Sequence, residues 1–438
     1  FDYFVYFSFA LISAMDFLSK LSKSASVLVA LEFLIIACLS VYCYFLDDRY
    51  LSINKMLSIF LFLFCYYTPF HQYLDGVNIH NFAVYSDSEY IYANFLIIIF
   101  ISIYIMVKKN EKKTINIFLF KTSDFSISTG AMLLLSILCI VCLIYLYSTN
   151  DLISLIENNE SNMDSLSVVI KKIVRFFPVS ALLLMIFGLQ TDRLCCTDSV
   201  KIVSFVIIGI CSTIIFFPIN GAISRYLLFG TYITIIVGCK DCIKHNSMVV
   251  IGAFVGFYFI FPAFNFFKYN DLTQLSEFEF GGFDANFTDY DAYQMFLQSI
   301  RYVSDHGLTW GANLITALLN FVPRSIWKGK AYNSGQVICE YYNKSFTNTS
   351  CPIFAELYLS FGIVGIIIGT YLFARLIQLL ENGYKSSNML QRGCYCISVG
   401  IIFAFLRGSL LSMSSFWTSL IVSYALAYFI CYLFGYKK

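Results

Sequence analysis

Apolar runs long enough to cross a bilayer recur along the whole chain, and this limits the possible folds more than any other feature. The stretch "NFLIIIFISIYIMV" at 94–107 is typical and carries no charge. A helix needs about 20 mainly apolar residues to span about 30 Å of hydrocarbon. Segments 26–46, 56–73, 90–107, 127–147, 173–190, 201–219, 222–239, 247–264, 353–373, 394–412 and 415–435 meet that length. Residues 1–18 make a further candidate; they lack the basic start and small-residue cleavage site of a secretory signal. Backbone groups in lipid must be paired within the spanning segment, so helices are expected and the polar connections must lie outside the hydrocarbon. The expected fold is an all-α polytopic membrane protein of about eleven or twelve transmembrane helices. Composition agrees: 59% of residues are hydrophobic and 13% charged, against about 45–50% and about 25% in soluble domains. A net charge of +2 provides no basic field for nucleic acid.

Loop charge sets the orientation. "VKKNEKKTINIFLFK" (107–121) holds five lysines and is expected to be cytoplasmic, together with 47–55, 191–200, 240–246, 374–393 and 436–438. Connections 74–89, 148–172 and 265–352 then face outward, and 74–89 has no Lys or Arg. The chain divides into N-terminal transmembrane helices (1–264), one long outer loop (265–352) and C-terminal transmembrane helices (353–438). Within the long loop, apolar spacing at Tyr293, Leu297 and Ile300 predicts an amphipathic helix over 291–305, ending before Gly307. A second is predicted over 310–321, with Trp310, Leu314, Leu318 and Phe321 on one stripe, stopped by Pro323. Both are too short and polar to span, so they are expected on the outer face or dipping into it.

The arginines run against the charge rule. Five of the nine, Arg175, Arg225, Arg301, Arg324 and Arg407, fall outside or near the outer helix ends. Counted from residue 394, Arg407 lies about 20 Å up its helix, inside the outer hydrocarbon, where a charge is expensive and usually functional. A guanidinium is a planar fork of donors suited to phosphate oxygens. Gathered at the outer boundary, with Lys328 beside Arg324, these side chains could hold a lipid phosphate; snorkelling or pairing with local acids is the structural alternative. Most cysteines lie in apolar runs and act as small hydrophobes. Cys339 and Cys351 sit in the outer loop, where a disulfide is expected to contribute about 2–3 kcal/mol. "CKDCIKH" (239–245) has the outline of half a zinc site, but four ligands are required, and no metal site is expected.

The block "FDAN", "DYDAYQMF", "GLTWGANL" and "NFVPRSIWKGK", followed by "CPIFAELYLSFGIVG", resembles the O-antigen (Wzy-type) polymerase family. The resemblance is concentrated in residues 262–375; the rest agrees mainly in hydropathy. Some members carry an Arg and a Gly separated by ten residues, as do Arg324 and Gly335; Arg301 to Gly311 is one residue short, and the corresponding position after Arg175 is Ile186. The resemblance implies a GT-C-like membrane glycosyltransferase of the bacterial inner membrane. Such an enzyme joins repeat units carried on undecaprenyl pyrophosphate at the periplasmic face, in lipopolysaccharide biosynthesis, with a separate chain-length regulator as partner and no cofactor. O-antigen ligase, with a similar plan, and a lipid-linked oligosaccharide flippase are the alternatives. Glycosyl transfer needs cations for the departing pyrophosphate; Arg324 leads, followed by Arg301, Arg225 and Arg407, then Arg175 and Lys328. It also needs a base for the acceptor hydroxyl. Asp291, Asp289, Glu356 and His306 are the candidates. As structural alternatives, the aspartates suit a helix start, Glu356 an ion pair and His306 a turn.

Overall fold

The computed structural model describes residues 26–110, 125–149, 165–217, 224–239, 245–263, 283–386 and 388–437. The candidate span 1–18, most of the lysine-rich segment and residues 264–282 of the long loop lie outside the described residues. The described chain is mainly helical, and ten of its helices are long and apolar enough to cross a membrane. They are α1 (Val27–Tyr44), α2 (Ile53–Asp75), α3 (Asp87–Lys109), α4 (Thr129–Ser148), α5 (Ser165–Gln190), α6 (Asp198–Ile215), α8 (Asn246–Ala263), α12 (Ile353–Glu381), α13 (Met389–Arg407) and α14 (Leu410–Phe434). Between α6 and α8 lies α7 (Arg225–Gly238). The long loop contributes α9 (Ala292–His306), α10 (Ala312–Leu318) and α11 (Ser334–Tyr341).

Helix α3 defines the two faces. A capping box between Ser86 and Glu89 starts it, and Lys108 and Lys109 end it, so its charges oppose the macrodipole at both ends. On the lysine face, three short connections satisfy one another in a small sheet. Its central strand, Phe125–Ser128, pairs parallel with Leu194–Cys195 and antiparallel with Tyr436–Lys437. This sheet departs from the all-α expectation; it forms where the chain leaves the helices and its backbone groups need partners. A buried ion network lies on the same face: Arg49 Nη2 is 3.0 Å from Glu381, which also meets Lys108.

Three expectations about spans change. Segment 222–239 forms a helix of 14 residues, about 21 Å long. The boundary between the last two helices falls at Gly408–Ser409 rather than near 413, so Arg407 is the final residue of α13. It therefore lies at a helix end, packed inside protein, and not partway up a lipid-facing span. Helix α12 bends sharply at Phe361 (φ −144°) and Gly362 (φ 61°), separating a first segment of eight residues, Ile353–Ser360, from the rest. That left-handed geometry suits glycine.

The short α7 packs against α13 through backbone. A Cβ on Gly230 would lie 2.7 Å from the Gly400 carbonyl oxygen, and one on Gly400 2.1 Å from Thr234 Oγ1. Small residues permit such close approach where lipid supplies no hydrophobic drive between helices.

The long loop folds back over the far face. Helix α9 matches the predicted 291–305 segment and stops at Gly307, yet it is not a surface helix. Every residue from Ala292 to Ser299 is buried. Its polar groups are satisfied internally: Tyr293 donates to Asn94 Oδ1 (2.7 Å), and Gln294 Oε1 accepts the Ile79 amide (2.9 Å). Helix α10 ends at Leu318, before Pro323, and is turned inside out. Asn313 and Thr316 are buried, while Leu318 is 76% exposed and Ile315 51%. That orientation suits a helix whose apolar face meets lipid.

The glycine contact yields a direct prediction. Gly400→Val should cost about 1–3 kcal/mol or more through overpacking and sharply lower the yield of monodisperse protein. Gly209→Val, with open space at its Cβ, should leave yield and melting temperature nearly unchanged.

Candidate functional site

The far face is organised around one carboxylate. Asp291 precedes α9 at the end of the 3₁₀ turn Thr288–Tyr290 and is 1% exposed. Its Oδ1 accepts hydrogen bonds from Ser350 Oγ (2.6 Å) and Arg407 Nη2 (3.0 Å). Its Oδ2 accepts the Ser350 amide (3.1 Å) and lies 3.0 Å from His80 Nε2. Burial pushes the Asp291 pKa up, but Arg407, His80 and Ser350 together outweigh it and hold the carboxyl at about 2. Such a carboxylate is a weak base at neutral pH. With both oxygens taken up by these contacts, it sits as a fixed charge and an orienting acceptor.

Arg407 is gripped from several sides. Its Nε donates to the Asp289 carbonyl (2.9 Å), its Nη2 lies 3.6 Å from Asp289 Oδ1, and its guanidinium rests 4.5 Å above the Tyr226 ring. Tyr226 in turn donates to the same Asp289 carbonyl (2.8 Å). Arg225, buried at the start of α7, is attracted by the Asp289 carboxylate. Arg407 Nη1 makes no hydrogen bond to the described residues.

His80 was not among the expected residues. It sits in the 74–89 connection, stacked on Phe346 at 6.0 Å. The available signal was rarity, since the chain has four histidines and this one lies in an outer loop. With Nε2 turned to Asp291, the neutral ring would present Nδ1 as an acceptor.

Glu356 forms a second hub. It lies in the first segment of α12, 1% exposed, and accepts four hydrogen bonds: Asn313 Nδ2 (2.7 Å), Ser334 Oγ (2.6 Å), Ser409 Oγ (3.2 Å) and the Leu410 amide (2.8 Å). These donors come from α10, α11 and the start of α14. The expected arginine partner is absent among the described residues; neutral donors fill its place. With its acceptor positions occupied, Glu356 fastens the loop to the helices and is poorly placed as a base. The segment "SCPIFAE" thus supplies Ser350 to one hub and Glu356 to the other.

The basic loop 320–331 is built by its own cations. Lys330 Nζ donates to the carbonyls of Asn320 (2.7 Å) and Val322 (2.8 Å), capping the end of α10. Arg324 donates to the carbonyls of Lys330 and Ala331 and rests 4.1 Å over Tyr332. Neither meets a carboxylate among the described residues. Burial, then the positive charges of Arg324 and Lys172, push the Lys330 pKa down. Phe321 and Ile326 of this loop are exposed, as is Leu318 just before it.

Other expected site residues fall elsewhere. Arg301 is committed to Glu89, with Nη2 2.9 Å from Oε2, and to the Ala83 and Val84 carbonyls. It clamps the 74–89 connection about 15 Å along α9 from Asp291. His306 is exposed at the opposite end of α9, stacked on Tyr302 at 4.9 Å. Arg175 is buried within α5, and Lys328 is exposed on the basic loop. Cys339 and Cys351 are separate buried thiols, not a disulfide. Cys339 Sγ faces Thr349 Oγ1 at 3.4 Å, while Cys351 faces Ser299 and Glu356. Among the described residues no cluster of His, Cys, Asp and Glu could hold a metal. Comparison with protein families, characterised proteins and solved structures finds no match to this chain.

The depressed Asp291 pKa fixes the sign of a pH effect. A carboxyl with folded pKa near 2 and unfolded pKa near ~3.9 adds stability above the unfolded value and loses it as pH falls through the folded one. The part of the stability gap to Asp291→Asn that comes from this carboxyl should therefore stay flat down to about pH 5, then narrow between about pH 4 and 2.

Proposed function

We propose that this chain is a GT-C-like glycosyltransferase that joins lipid-linked oligosaccharide repeat units, as an O-antigen polymerase of the Wzy type does, with its site facing the periplasm. The observation that carries the reading is the basic loop. Arg324 and Lys330 lack acidic partners among the described residues, in a segment that also exposes Leu318, Phe321 and Ile326. That combination suits a pyrophosphate whose carrier lies in the membrane. It also answers why cations gather against the topological bias.

The far-face centre supplies the rest. In the proposed step, the acceptor hydroxyl oxygen bonds to the anomeric carbon of the growing chain. The bond from that carbon to the pyrophosphate oxygen breaks, and the lipid pyrophosphate leaves with the electron pair. Arg324 and Lys330 stabilise its growing charge. The hydroxyl proton passes to His80 Nδ1, with Asp291 orienting the ring.

Lipopolysaccharide gels from a strain lacking the gene test this reading. Loss of the long ladder, with core bearing a single repeat unit retained, is expected. Arg324→Ala should lower polymerisation by about 10²–10³-fold, and Arg324→Lys should restore it only in part. Loss of even the single unit would contradict the reading and favour a ligase or a flippase.

A further inference from the structure

Beside the Asp291 centre lies an open cavity of about 630 Å³ lined among the described residues by Tyr67, His71, Asp75, Tyr258, Phe283 and Asp284, with Val77, Ala285 and Asn286 completing the wall. Its size falls within the ~300–1,000 Å³ of ligand pockets. Four rings form one continuous wall. Tyr67 lies 4.6 Å from His71 and 5.2 Å from Phe283, and Tyr258 lies 5.6 Å from Phe283. The Tyr67 and Tyr258 hydroxyls are hydrogen-bonded to each other.

Both tyrosines come from π-helical turns. Tyr67 ends the turn Leu61–Tyr67 in α2, and Tyr258 lies within Gly256–Ile260 in α8. Such turns disrupt a helix ladder and are frequent at functional sites. Two of them meeting across one cavity, in adjacent transmembrane helices, is a second observation independent of the lining chemistry.

We infer that this cavity binds a saccharide, neutral or amino-bearing, and rejects phosphate. Partly exposed rings offer flat faces to the C–H faces of a pyranose. Asp75 and Asp284, both exposed, and Asn286 accept or donate to hydroxyls. Carboxylates at the rim repel an anion and attract an ammonium group.

The cavity is joined to the centre by a single layer. Phe283 packs on Tyr290 at 5.3 Å, and Tyr290 lies between Asp289 and Asp291 in sequence. Gln72 Nε2 donates to both the Ala285 and Tyr290 carbonyls at 3.1 Å, fastening the cavity wall to the Asp291 segment. Resting on the proposed polymerase reading, this places the acceptor sugar here and leaves the basic loop to the donor pyrophosphate.

Saturation-transfer NMR on the full chain in lipid nanodiscs tests the site, with methyl glycosides of glucose, galactose, N-acetylglucosamine and glucosamine as probes. At least one saccharide should show transfer that inorganic pyrophosphate does not displace. The double variant Asp75→Asn/Asp284→Asn should weaken binding of the glucosamine glycoside at least fivefold, and Tyr258→Ala should weaken every binding saccharide at least fivefold. Arg324→Ala should leave binding unchanged. Absence of transfer from the whole panel, displacement by pyrophosphate, or equal transfer in both cavity variants would overturn the inference. Saccharide binding in a protein whose gene deletion leaves the ladder intact would retain the cavity while refuting the polymerase reading.

Discussion

A carboxylate removed from water must be compensated, and the shape of the far face follows from how this chain compensates Asp291. Its partners come from distant parts of the sequence: His80 after α2, Ser350 before α12 and Arg407 at the end of α13. Each is needed because an isolated buried charge costs several kcal/mol. Meeting that need draws the 74–89 connection, the long loop and two transmembrane helix ends to one point. The same point carries the proposed chemistry, so stability and function draw on one set of contacts.

Positive charge on this face divides into two kinds. Arg301 and Arg407 have acidic partners and hold structure, and Arg225 is attracted by Asp289. Arg324 and Lys330 instead cap backbone carbonyls and retain their net charge. The distinction matters more than the number of arginines, because only uncompensated cations gain from an anionic ligand without first losing a partner. The packing of α10 exposes its apolar side next to this charge, while Asn313 donates to Glu356 and the Ala317 carbonyl accepts from Ser414 of α14.

Much of this architecture was legible in the sequence because lipid imposes strict rules on length and polarity. Most of the spans and the helix predicted over 291–305 follow from local pattern. What local pattern does not contain is pairing across the fold. Arg301 and Arg324 look alike along the chain, yet Glu89 sits beside one and no acid beside the other among the described residues. His80 lacked a motif, and its role depends on Asp291 being 211 positions away. Periodicity found the α10 stripe, but not which side faces inward, since that sign depends on whether the surroundings are lipid or protein. The disulfide expectation failed for a related reason: two cysteines twelve positions apart face different neighbours.

The most direct test is a double-mutant cycle between Arg407→Ala and Asp291→Asn, read by equilibrium unfolding in detergent micelles. If the buried pair organises the far face, Arg407→Ala alone should cost about 3–5 kcal/mol, and adding Asp291→Asn should restore a substantial part of it. Additive effects, within about 0.3–0.5 kcal/mol, would show that the two groups act independently and would contradict the account.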